Sequence, residues 1–208
     1  MINNNCSNII DMNINTTDVT NILQNMPLQP DETTESFSVN TDEYLQMSYI
    51  QLDNLTFEEY KNYATLIKQN VQEKMQSQTK HSDDNLKFSV LEKLHAATYT
   101  NNDTVNKTIF VALSESNEHP LIFMTTLNNG VQNYINGNDI STNHGLLMPS
   151  TNDPVVKEKR SSINYRDFFS KAIENYKNLL GNFSEDIQMY ASLLSNLNAE
   201  HESSTYAQ

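Results

Sequence analysis

Apolar positions along this chain fall into stretches whose spacing changes twice. The first periodic stretch is short. Val19, Ile22, Leu23 and Met26 fall at i, i+3, i+4 and i+7, and Pro27 follows, so residues 17–26 predict a short amphipathic helix. Around it, residues 1–42 are polar and read as a disordered leader, with too little apolar surface to offset the entropy of ordering. A stronger start signal comes at Thr56. Glu59 lies three residues on, as in a capping box, and Leu55 and Tyr60 hold the positions of a hydrophobic staple. Phe57, Tyr60, Ala64, Ile67 and Val71 then share one stripe, which predicts a helix over 56–76. A second helix over 85–97 carries Leu86, Val90 and Leu94 on one side. The alternation of Phe88 and Val90 leaves a strand as the other reading there.

From Thr108 the period shortens to two. The β-branched and aromatic run 108–113 predicts a strand, 121–127 a second and 131–135 a third. Asn128-Asn129-Gly130 reads as the turn between the last two, because Asn-Gly accommodates positive φ. The three form an antiparallel meander whose apolar face needs helices to cover it. Residues 141–161 read as a connector.

The period then lengthens again. Phe169, Ile173, Tyr176, Leu180, Phe183, Ile187, Tyr190, Leu194 and Leu197 are spaced alternately by four and three. The register passes through Gly181 without a stutter, and one glycine costs a helix only about 1 kcal/mol. This predicts one helix over 164–198, roughly 50 Å long, capped by Asn164. Its d positions are mostly rings rather than leucines. That favours packing inside a bundle or across a sheet over a parallel coiled-coil zipper. The fold expected is therefore α+β: a small three-stranded antiparallel meander packed with amphipathic helices and one long C-terminal helix. It forms a single domain over 43–198, with a tail at 199–208.

Charge narrows the partners. The net charge is −13, which disfavours sequence-independent nucleic-acid binding and docking on anionic lipid. It is also uneven. Residues 1–60 contain ten Asp and Glu and no Lys or Arg, whereas the other 148 contain 16 acids against 13 bases. Cys6 is the sole cysteine, so no intrachain disulfide is expected. The apolar runs are too short for a membrane helix, and the first residues lack the basic and apolar regions of a Sec signal.

Chemistry is sparse. His81, His95, His119, His144 and His201 have no second His or Cys at metal-ligand spacing. Glu118-His119 falls in a predicted hairpin loop, and Glu185-Asp186 is an adjacent pair read as solvated. No phosphate-binding or dinucleotide fingerprint follows a strand. These readings predict no catalytic residue, no metal and no cofactor, although triads assembled from distant positions leave no trace in chain order. The candidates for partner contact are Val19, Ile22, Leu23 and Met26 on the short helix. On the long stripe they are Tyr176, Phe183, Tyr190 and Leu194.

The C-terminal stretch, closing on Tyr190-Ala191-Ser192-Leu193-Leu194-Ser195-Asn196-Leu197, resembles the first long helix of bacterial type III needle-tip proteins, the invasion plasmid antigen D family. The likeness covers about 35 residues. It departs from the family in stopping at Gln208, where those proteins continue into a mixed domain and a second long helix. The Asn-, Ser- and Thr-rich start is similar to the leaders of type III secreted proteins. The resemblance implies a bacterial, virulence-associated interaction protein, secreted by a non-Sec route, with a secretion chaperone or host protein as partner. A cytosolic acidic adaptor or chaperone of such a system is the alternative, and an enzyme with a dispersed site is the third.

Overall fold

The computed structural model describes residues 41–77, 84–142, 154–179, 181 and 183–206. Among them the chain forms ten helices and no strand. In chain order these are α1 Thr41–Gln46, α2 Tyr49–Asp53, α3 Phe57–Asn62, α4 Ala64–Ser77, α5 Asp84–Ala97, α6 Asp103–Glu115, α7 Pro120–Ile135, α8 Pro154–Ser161, α9 Tyr165–Lys177 and α10 Ser184–Tyr206. The α+β expectation is thereby overturned: the fold is all-α.

Local sequence sets the early helices. Ser48 and Thr56 each form a reciprocal capping box, with Gln51 and Glu59 respectively. The stripe expected over 56–76 is divided at Tyr63, which caps α3 with φ −115° and stacks its ring on Tyr44 of α1, centroids 4.3 Å apart. Helix α5 is the hub of this half, touched by α2, α3, α4, α6 and α7. Lys93 of α5 is held by the Asp53 carboxylate at 2.9 Å and by its backbone carbonyl at 2.7 Å, which fastens α2 to the hub.

The predicted strand 108–113 lies inside α6. Asn102 caps that helix by accepting from the backbone N–H groups of Thr104 and Val105. Val105, Ile109 and Leu113 fall four apart on its buried side, and Asn106 and Phe110 are buried beside them. A helix enclosed on most of its circumference is apolar nearly all round, so the contrast that marks a helical period disappears. Thr108 fits by donating its hydroxyl to the Thr104 carbonyl at 2.8 Å.

The predicted strands 121–127 and 131–135 are two parts of α7, and the expected turn between them is helical. Pro120 occupies the first turn, where its missing N–H is no loss, and His119 caps it. Asn128 is 2% exposed and accepts from the Tyr99 hydroxyl at 2.9 Å. Gly130 is needed for close approach rather than for positive φ. A Cβ there would run into Tyr190 Oη and lie 3.3 Å from Phe168 Cζ. The Asn-Asn-Gly signal thus reflects burial and packing, not a reversal of the chain.

The single C-terminal helix is also corrected. Helix α9 ends at Lys177, with Asn178 as its C-cap, and α10 starts at Ser184. The two form an antiparallel hairpin. Tyr176 and Tyr190 stack at 5.8 Å between centroids, whereas fourteen residues of continuous helix would separate them by about 21 Å. Phe168 meets Tyr190 edge-on at 5.7 Å. Each arm needs its own stripe, and the stripes face each other, so the 4-3 rhythm survives a break. Burying Phe168, Phe169, Ala172, Tyr190, Leu193 and Leu197 outweighs the helical turn given up at the connector. Gly181 contributes space, since a Cβ there would stand 2.7 Å from the Phe183 ring. Residues 199–206, expected as tail, continue α10.

Candidate functional site

A cleft of about 620 Å³ opens where the α6–α7 connection meets the start of α10. Its floor and one wall are apolar: Ala112 from α6, Ile122 and Phe123 from α7, and Met189 from α10. Ile122 is one of three large apolar side chains that the described residues leave exposed, at 37%. The rim carries Glu115, Glu118 and Glu185, with Gln188 and Ser192 between them.

The connection is shaped by its own hydrogen bonds. The Ser116 N–H closes the end of α6 on the Leu113 carbonyl, and the Glu118 N–H donates to Ser116 Oγ at 3.0 Å. His119 Nδ1 accepts from the Leu121 N–H at 3.3 Å, which fixes the ring as the cap of α7. That ring also lies 5.4 Å from Phe88 of α5. Glu118 is therefore held against the cleft by a braced turn. Glu185 and Asp186 sit in the first turn of α10, where the helix dipole favours acids.

The electrostatics are of one sign. Burial pushes the Glu118 carboxyl up to about 7, helped by Asp186 and Glu185. Burial likewise raises Asp186, with Glu185 adding to it. The Tyr176 phenol is pushed well up, first by burial and then by Asp186 and Glu118. Among the described residues no Lys or Arg lines the cleft. A carboxylate lining with an apolar floor can hold a cationic group beside an apolar one.

A second polar centre lies in the interior. Arg160 of α8 is 1% exposed, with its guanidinium carbon 4.4 Å from the Tyr99 ring centroid and one terminal nitrogen donating to Asn128 Oδ1 at 3.2 Å. Its Nε and the Tyr165 hydroxyl have no hydrogen-bond partner among the described residues. Burial raises the Tyr99 and Tyr165 phenols, and Arg160 only partly offsets this. Beside Tyr99, with ring centroids 5.6 Å apart, His95 holds its Nδ1 3.2 Å from Glu92 Oε2, both residues buried.

The residues singled out from sequence do not converge on either place. Val19, Ile22, Leu23 and Met26 lie outside the described residues. Tyr176 and Tyr190 are enclosed in the α9–α10 seam, and Phe183 and Leu194 are half-buried against it. Cys6, His81 and His144 also lie outside the described residues, and His201 is exposed on α10. Among the described residues no group of three or more His, Cys, Asp or Glu is placed to hold a metal, and no helix is long and apolar enough to cross a membrane. The cleft residues escaped sequence reasoning because Glu118 and Glu185 are 67 positions apart. The legible hint was Pro120, which marks a helix start just after Glu118. Compared with protein-family models, curated proteins and solved structures, the chain matches none of them.

Proposed function

We propose that this chain is a protein-interaction module whose docking site is the cleft between the α6–α7 connection and α10. The observation that carries the reading is the cleft's composition: an apolar floor with Ile122 exposed, ringed by carboxylates and braced by local hydrogen bonds. Such a site holds its shape without a ligand and offers both an anchor pocket and a charged rim. A photo-crosslinking side chain at Ile122, in cells that naturally make the chain, tests it against the same probe at Ile50 on α2, which is 58% exposed. One discrete adduct from position 122 and none from position 50 is the expected result. The same adducts from both positions would refute it.

The route by which the chain meets its partner is a separate part of the proposal. Its support is compositional: sixty residues with ten acids and no base, and an Asn-, Ser- and Thr-rich start. We read these as export by a type III-like bacterial machine, with a cytosolic adaptor of such a machine as the second reading. Deleting residues 2–30 should abolish the culture-supernatant pool. Undiminished export of the shortened chain, or none of the intact one, overturns it.

A further inference from the structure

The cleft's chemistry narrows its occupant. We propose that it takes an amphipathic helical segment of a partner, seating an apolar side chain on the floor beside Ile122 and a lysine or arginine among Glu115, Glu118 and Glu185. This rests on the reading of the cleft as a docking site and adds the chemistry of what docks.

Three observations converge on a basic occupant. The rim carboxylates come from the end of α6, the connection after it and the first turn of α10, so the repulsion between Glu118 and Glu185 is built by the fold rather than by adjacency in sequence. Glu118 is partly withdrawn from water with Asp186 and Glu185 near it and no Lys or Arg among the described residues that line the cleft, so a positive group entering it gains what these carboxylates lack. The volume suits a few side chains on one helical face, with Ala112, Phe123 and Met189 already supplying the apolar floor. The chain's own leader is a poor occupant. It would bring acids and no base to an acidic rim. A second copy, at net charge −13, meets the same repulsion.

The site also answers to pH. A seated cation favours the ionised Glu118 carboxylate, so binding releases a proton wherever free Glu118 holds one, below about 7. The other charged or titratable groups around it are Glu115 of α6, the His119 cap, Tyr176 of α9, Glu185 and Asp186 of α10, and, further off, Lys87 of α5, whose Nζ lies 5.1 Å from the centroid of the Phe88 ring that packs on His119.

The experiment is fluorescence anisotropy of a labelled amphipathic helical peptide bearing apolar residues and one lysine per turn, with the full chain. The controls replace lysine by norleucine or by glutamate. The lysine peptide should bind about tenfold more tightly at about pH 8 than at about pH 5.5, and far better than either control. Glu118→Gln should remove most of that pH dependence, and Glu185→Gln should weaken binding at the higher pH, both with unchanged circular dichroism. Equal binding of the norleucine peptide overturns the basic occupant and leaves the docking site standing. PH dependence that persists in Glu118→Gln overturns Glu118 as the gate. If no peptide binds while Ile122 still gives its discrete adduct, the chemistry proposed here is wrong and the site is right. If both fail, the docking reading falls as well.

Discussion

Arg160 and Glu118 are both drawn out of water, yet their surroundings answer them in opposite ways. Around Arg160 the fold supplies fixed, complementary partners: the face of Tyr99 and the amide oxygen of Asn128, itself held by the Tyr99 hydroxyl. Around Glu118 it supplies more carboxylates. The first arrangement lies within the interior and joins the turn after α5 to α7 and α8. The second stays open, and its electrostatic cost persists until a positive group arrives. A buried charge to which the fold supplies a ring face and a hydrogen-bond acceptor indicates architecture. One that the fold aggravates, at the mouth of a cleft, indicates binding.

The largest effects should come from the interior centre. Arg160→Ala removes a fully enclosed side chain together with its bond to the Asn128 oxygen, leaves a void, and should lower stability by about 3 kcal/mol in urea unfolding. Arg160→Met keeps the volume and sheds the buried charge, so it should stay within about 1 kcal/mol of the parent. If Met proves as damaging as Ala, the guanidinium itself holds the interior together. The contrast with Glu118 would then be one of strength as well as of sign.

The next effect tests how tightly α7 is built into the same region. Gly130→Ala forces a methyl against Tyr190 Oη and should cost about 2 kcal/mol, despite alanine's higher helix propensity. Tyr190→Phe removes the clashing atom together with a 3.3 Å hydrogen bond to the Thr126 carbonyl. The double variant should therefore lose less than the sum of the two single losses. Additive losses would mean that α7 shifts to accept the methyl, and that the interior is as yielding as the cleft.

What the sequence made legible follows the same division between local and distant causes. The box at Thr56 and Glu59 and the caps at Asn164 and His119-Pro120 are written within four residues of where they act. Only the last was misread, as a loop between strands. Period-two reasoning failed on α6 and α7 because both are enclosed on several faces, and a helix without a polar face loses its period. Asn128 and Gly130 mimic a turn for a reason no local rule contains: Arg160 and Tyr190 arrive from other helices and Tyr99 from the turn after α5. The break before Gly181 was hidden because the hairpin arms need stripes that happen to share one phase. The cleft was illegible for the plainest reason, since its carboxylates are neighbours only after α10 folds back.

The smallest effect is the most discriminating. Glu118→Gln removes a carboxyl raised in the folded chain from 4.5 to about 7. Between those values the folded chain keeps a proton that the unfolded chain has shed, so stability is greatest below the window and falls as pH rises through it. At about pH 8 the parent bears the full penalty. The glutamine variant should then be more stable by about 1–2 kcal/mol, a figure reduced from the full shift because the group is partly solvated. At about pH 4 the two should coincide. Asp186→Asn should give part of the same gain, and in combination with Glu118→Gln less than the sum, because each relieves the repulsion felt by the other. A glutamine variant less stable than the parent at about pH 8 would show that Glu118 has found a cation. The cleft's charge would then be partnered within the fold, as that of Arg160 is by Tyr99 and Asn128, and not left open to a partner.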